Sequence, residues 1–243
     1  MEDLTERQSK ILKAIIEEFI ETALPVGSET IEKKYNLGVS PATIRNEMVK
    51  LTDAGYLKKS HSSSGRNPTP QALKFYVDHL MKAENLTLAE EVAVKEKVWD
   101  YRNQFEKLLH EATKELSIRT KMLSLGTSSE GDFFSSGLGN ILDAPEFYDI
   151  DLAKTILSYL DQFDYWQKLI ERTWEGEDPI HILLGEEFGL EAFEPCGFIY
   201  TPFKAGSRSG AIGVVGPARV KYSRVVPIVK YFGQLIEEVG KNW

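Results

Sequence analysis

Apolar side chains recur at helical spacing from the start of the chain. Ile11, Leu12, Ile15, Ile16 and Phe19 form one face of a first helix, and Thr5-Glu6-Arg7-Gln8 ahead of them fits a capping box. Pro25 and Gly27 are expected to end that helix. Ser28 is read as the cap of a second, with Ile31 and Tyr35 facing inward. In the turn Asn36-Leu37-Gly38-Val39, Gly38 can take a positive φ without strain. Ser40 caps a third helix with Pro41 at its first position, where a missing N–H costs nothing. Ile44, Met48 and Leu51 are its inward stripe; Ala42, Asn46 and Val49 lie opposite, flanked by Thr43, Arg45 and Lys50. Gly55 closes the helix. A strand at Tyr56-Leu57-Lys58-Lys59, a hairpin tip at Ser62-Ser63-Ser64-Gly65 and a return at Arg66-Asn67-Pro68 follow. Thr69 and Pro70 then open a fourth helix reaching to about Met81.

Further on, Val94, Val98, Tyr101, Phe105, Leu108 and Ala112 step by 4, 3, 4, 3 and 4, the spacing of a heptad seam. A single helix from Leu88 to Leu123 would be roughly 50 Å long. The seam fits either packing on the chain's own domain or a dimer contact through Val94, Val98, Tyr101, Phe105 and Leu108. Gly126 to Gly139 is rich in Gly and Ser and reads as a loop or a shortened connection. Gly137-Leu138-Gly139 has no third glycine and no expected strand before it, so it is not a dinucleotide loop. A helix is expected from Asp151 to Arg172. Strands are expected at residues 180–184, 197–200 and 210–215, and an amphipathic helix over Ser223 to Val239.

These elements give an α+β chain with three parts: an N-terminal domain over 1–82, a long linker or dimerisation helix over 83–125, and a smaller α/β domain over 126–243. The charge supports that division. Residues 1–82 hold 12 Lys and Arg against 11 Asp and Glu, a net of +1; the rest hold 17 against 26, a net of −9. The acid therefore lies away from the N-terminal helices. Cys196 is the only cysteine, which excludes an intrachain disulfide and a thiolate metal cluster, and it reads as a buried small hydrophobe. No cofactor or metal is expected. The polar, acidic MEDLTERQSK is not a signal peptide, and no apolar run approaches the roughly 20 residues needed to span a bilayer. A cytoplasmic protein is expected.

Helix, glycine turn, helix and basic hairpin in one run, over residues 28–66, have the order of a winged helix-turn-helix, which places its second helix in a DNA groove. Ala42, Thr43, Arg45 and Asn46 then meet base edges. Asn pairs bidentately with adenine and Arg with guanine, each worth about 1–3 kcal/mol of discrimination; Arg45 lies off the centre of the face and fits a phosphate equally well. Ser40 and the N–H groups at the helix start suit a phosphate. Lys50, Lys58, Lys59 and Arg66 supply charge for backbone anchoring, Arg66 alternatively for the minor groove. His61 and Ser62 are candidate contacts at the hairpin tip.

The same residues carry a resemblance. LTERQSKILKAIIEEFIET, PVGSETIEKKYNLGVSPATIRNEMVKLTDAGYL, the segment KKSHSSSGRNPT followed by KFYVDHLM, and later GLGNILDAPEF, ILLGEEFG and GAIGVVGPARVKYSRVVPIVKY resemble the heat-inducible transcription repressor family HrcA. The segments cover about three quarters of the chain, and ATIRN beside SxxGRxPT is the specific combination. The resemblance implies a winged-helix domain and a GAF-like domain, a homodimer on an inverted-repeat operator of chaperone genes, release on heat stress, and dependence on the chaperonin GroEL. Family members carry a longer stretch before GLGN, with early sensor strands and an inserted dimerising segment. Here KELSIRTKMLSLGTSSEGDFF spans that interval, so a shortened sensor domain is expected, with the 94–112 seam in place of the missing contacts.

Two other functions compete. A small-molecule-responsive winged-helix regulator would use the second domain as its pocket, although no convergent polar set names a ligand. An enzyme would have to use His181 or Glu186-Glu187. His181 sits among apolar residues mid-strand, adjacent glutamates tend to point apart, and no nucleophile–base pair or phosphate loop is evident.

Overall fold

The computed structural model describes residues 4–59, 65–173 and 179–241. The chain forms two compact units, Met1–Lys82 with Lys221–Ser223, and Ala83–Val220 with Arg224–Trp243. Both helix and sheet are present, as an α+β class requires.

The first unit opens with α1 (Glu6–Thr22), α2 (Ser28–Tyr35) and α3 (Pro41–Asp53). The Thr5 hydroxyl accepts the Gln8 N–H and the Gln8 side chain reaches back to Thr5, closing the capping box. α1 ends at Ala23, which takes a left-handed conformation, and Gly27 rather than Ser28 is the N-cap of α2. Ile11, Leu12, Ile15 and Ile16 of α1 are buried, as are Ile31, Ile44, Met48 and Leu51 of α2 and α3, and the three helices pack on one another. Strand β1 (Leu57–Lys59) pairs antiparallel with β2 (Arg66–Pro68), and Val26 bridges to Arg66 beyond it. α4 (Pro70–Phe75), capped by Thr69, continues as a π-helical turn over Tyr76–Leu80.

The second unit is a five-stranded antiparallel sheet in the order β4-β3-β7-β6-β5, with β3 (Leu123–Ser128), β4 (Phe133–Ser136), β5 (His181–Leu184), β6 (Cys196–Ala205) and β7 (Arg208–Pro217). Strand alternation gives it two buried faces. Leu123, Leu125, Phe198, Tyr200, Ala211 and Val215 join Trp166, Ile156 and Phe147 from α7 (Ile150–Ser158), α8 (Phe163–Thr173) and the 3₁₀ turns before them. On the other face, Gly126 and Thr201 lie under α6 (Phe105–Thr120) and α9 (Tyr222–Val239): a Cβ on Gly126 would stand 2.3 Å from Thr113 Oγ1, and one on Gly233 2.5 Å from Thr201 Cγ2.

Several expectations are corrected here. The long helix is two: α5 (Leu88–Trp99) ends in tight turns, Tyr101 N–H to Val98 O and Gln104 N–H to Tyr101 O, and α6 starts at Phe105. Steps of 3 and 4 mark any buried helical face, so two helices satisfy them as well as one. Residues 83–125 consequently belong to the second unit and do not stand as a separate linker. Within it Val94, Val98, Phe105 and Leu108 are buried and Tyr101 is half-buried, so the proposed dimer seam Val94, Val98, Tyr101, Phe105 and Leu108 presents no free face. Gly126 to Gly139 is not a loop throughout but holds the end of β3 and all of β4, and Gly126 lets α6 approach the sheet. The helix expected from Asp151 to Arg172 is likewise split into α7 and α8, where the Trp166 indole N–H donates to Tyr159 O at 2.8 Å.

Candidate nucleic-acid interface

α3 is set into the first unit by its neighbours on both sides. Glu18 of α1, almost wholly buried, accepts from Lys34 Nζ at 2.9 Å and from the Tyr35 hydroxyl at 3.3 Å, tying α2 down; the Glu18 hydrogen bond raises the Lys34 pKa above its usual value. Asn36 (φ 43°) and Gly38 (φ 71°) then turn the chain into α3. Ser40 Oγ accepts the Thr43 N–H at 3.2 Å and lies 3.0 Å from Thr43 Oγ1, so its hydroxyl is engaged in capping the helix.

The inward stripe Ile44, Met48 and Leu51 is buried, as the spacing requires. Ala42, Arg45, Asn46, Val49 and Lys50 are exposed and Thr43 half-buried. Four of these, Ala42, Arg45, Asn46 and Val49, make one continuous outward face. Glu47 breaks the apolar pattern: it lies inward, 3% exposed. Arg7 Nη2 reaches its Oε1 at 2.9 Å and Lys50 Nζ the same oxygen at 3.3 Å. Lys50 is therefore not a lone anchor but one arm of an ion triad, and Arg7, read from the sequence only as part of a cap, is the other. The available signal was the charge itself, since a carboxylate inside an apolar stripe needs cationic partners.

The hairpin is fastened beside α3. Val26 and Arg66 exchange backbone hydrogen bonds of 2.9 Å in both directions. Gly65 is buried where a Cβ would meet Pro25 at 2.8–2.9 Å. Lys58 and Lys59 are exposed on β1. Arg66 is half-buried and folded back, its Nε donating to Thr52 Oγ1 and its Nη1 to Gly65 O, both at 3.3 Å, so it braces the hairpin base against the end of α3. His61 and Ser62 lie outside the described residues.

Among the described residues, the second unit offers no comparable chemistry. His181 stacks on its cross-strand neighbour Tyr200 with ring centroids 5.1 Å apart, and Glu187 Oε2 accepts the Leu184 N–H. Cys196 is fully buried, which pushes its thiol up to about 12. A strand, β4, does precede Gly137, contrary to expectation. The segment is nonetheless closed: Asn140 Nδ2 donates to Ser117 Oγ and Met122 O at 3.2 Å, and a Cβ on Gly137 would fall 1.9 Å from Ser117 Oγ. Among the described residues no group of three or more His, Cys, Asp or Glu is arranged to hold a metal ion, and no helix is long and apolar enough to cross a membrane.

Comparison with known proteins adds three findings. Residues 48–226 match the family model described as HrcA protein C terminal domain. The heat-inducible transcription repressor HrcA of Clostridium tetani is 30% identical over 98% of this chain and 95% of its own length, and that of Carboxydothermus hydrogenoformans is 27% identical over 98% and 99%. The first alignment runs over 342 positions against a chain of 243 residues, so at least 99 of them (342 less 243) face no residue here. A crystal structure of a hypothetical protein, 19% identical, superposes with a TM-score of 0.76 over 98% of this chain and 99% of that one, and so shares its fold.

Proposed function

The chain belongs to the HrcA family, and from that premise we propose that it is a cytoplasmic, DNA-binding transcriptional repressor of heat-shock genes, released from its operator on heat stress. One observation carries the reading: the continuous outward face Ala42, Arg45, Asn46 and Val49 of α3, left exposed beside a basic hairpin while the opposite face is packed. In this reading the first unit is a winged helix-turn-helix and α3 enters the major groove, with Asn46 and Arg45 on base edges and Ala42 and Thr43 against thymine methyls. The Ser40 end of α3 and Lys58, Lys59 and Lys50 take phosphates. Arg66 acts from within, by holding the hairpin. The second unit, a sheet covered by helices on both faces, is the GAF-like sensor, and GroEL is the partner through which folding stress is read.

A module of net charge +1 binds DNA weakly by itself, so an inverted repeat held by a homodimer supplies the affinity. The expected seam is buried. The other side of α5 carries Leu88, Val92 and Trp99 at offsets 0, 4 and 11, all exposed, and this stripe is the part of the helix that a second copy would meet. The proposal is tested by titrating the chain into DNA from upstream of its own gene and into a scrambled duplex. Preference for the upstream duplex, strengthened by added GroEL, is the expected outcome; equal affinity for both duplexes refutes it.

A further inference from the structure

We infer that Arg7 and Lys50, held on one oxygen of the buried Glu47, form a two-cation seat for a DNA phosphate at the edge of the α3 face. The inference deepens the DNA-binding reading and rests on it. Arg7 Nη2 and Lys50 Nζ lie 2.9 and 3.3 Å from the same Glu47 Oε1, so the two cationic nitrogens are at most about 6 Å apart. Charge and exposure separate this triad from a purely structural ion pair. Glu47 is all but sealed, its side chain 4% exposed, whereas those of Arg7 and Lys50 are 55% and 60% exposed. One cation would neutralise the carboxylate; two leave a net charge of +1, displayed to solvent from a fixed base.

Hydrogen-bonding capacity points the same way. A guanidinium has five N–H donors and an ammonium three, and each uses one here on Glu47. The remaining donors suit an acceptor that carries several oxygens and negative charge.

Position then selects phosphate over a base edge. Thr43, Glu47 and Lys50, at offsets 0, 4 and 7, make the edge of α3 beside the outward face. A recognition helix lying in the major groove is flanked along both edges by backbone phosphates, so cations here set register and read no sequence. Glu47 is the positioning residue: it takes freedom from two long side chains before DNA arrives, which lowers the ordering cost of the contact. Of this pair, the sequence assigns only Lys50 to a phosphate; Arg7, 40 residues before Glu47, joins it only through the fold.

The test uses the full chain and the salt dependence of DNA binding. On duplex DNA, each phosphate neutralised contributes about 0.9 to the slope of log K against log salt. Arg7→Gln keeps an N–H donor for Glu47 but brings the triad to zero net charge. It should flatten the slope by about 0.9 per bound subunit while leaving the preference for upstream over scrambled DNA unchanged. Arg7→Lys should retain the wild-type slope. Glu47→Gln, which leaves both cations unopposed, should steepen it; should Arg7→Gln not fold, Lys50→Gln is measured in its place with the same expectation. A structural brace alone predicts altered melting temperatures with a common slope, and equal slopes for wild type and Arg7→Gln overturn the inference. Non-preferential binding by the wild type would defeat the operator reading, yet the slope comparison on that same DNA would still decide the seat. No binding to any duplex would defeat both.

Discussion

Replacing Gly65 by alanine probes the contact on which the geometry of the hairpin depends. A Cβ at this position would lie 2.8 Å from Pro25 Cβ and 2.9 Å from both the Pro25 carbonyl carbon and its oxygen. Two of the three atoms are backbone, so no side-chain rotation relieves the clash. The chain must shift, and the nearest interactions to yield are the paired Val26–Arg66 hydrogen bonds, one residue along on each side. Overpacking of a closed site costs about 1–3 kcal/mol. At 1.4 kcal/mol per factor of ten, protection of the Val26 and Arg66 amides from hydrogen exchange should fall by roughly 5- to 150-fold. Two glycines serve as controls. Gly139→Ala has nothing within 4 Å of its Cβ and should stay within about 0.5 kcal/mol of wild type. Gly38→Ala is equally uncrowded but has a φ of +71°, so backbone strain alone should cost about 1 kcal/mol. Wild-type protection in Gly65→Ala, within a factor of two, would refute the steric argument and with it the claim that the hairpin base is fixed by close approach to Pro25.

Further outcomes follow from the same geometry. Asn46→Ala should lose about 1–3 kcal/mol of preference for operator over scrambled DNA and keep weak nonspecific binding; undiminished preference in a competition assay would remove Asn46 from the base-reading set. Trp99→Glu should shift the chain toward monomer in size-exclusion light scattering if the outer stripe of α5 joins two copies, and an unchanged mass would exclude that stripe. Cys196 has a folded pKa raised from 9.0 to about 12 by burial. Unfolded chains therefore lose this proton first as pH rises, and the stability it contributes, complete below pH 9, is lost between pH 9 and 12. Cys196→Ala should lessen the fall in stability across that window, as followed by urea denaturation; parallel curves would contradict the assignment.

Local interactions were legible in the sequence and long-range ones were not. Thr5 with Gln8, Ser40 with Pro41 and Thr69 with Pro70 act within three residues, and all three caps form where they were expected. The α3 stripe was equally readable because its period is set by the helix itself. The turn between Trp99 and Phe105 was not, since apolar spacing continues across it and only the packing of α5 on α6 distinguishes two helices from one. β3 was missed because its glycine reflects the approach of Thr113 and Leu109 from α6, a contact made by the fold. In the candidate interface, exposure of Ala42, Arg45 and Asn46 was expected from periodicity. The turning back of Arg66 onto Thr52, and the joining of Arg7 to Lys50 through Glu47, depend on elements brought together from 14 and 40 residues away.

Nuclease footprinting of the full chain on DNA upstream of its own gene tests the central claim most directly. The account predicts two protected half-sites related by a two-fold axis, with centres one helical turn or a multiple of it apart, and loss of both on Asn46→Ala. Protection without symmetry, or none at low ionic strength, would contradict it.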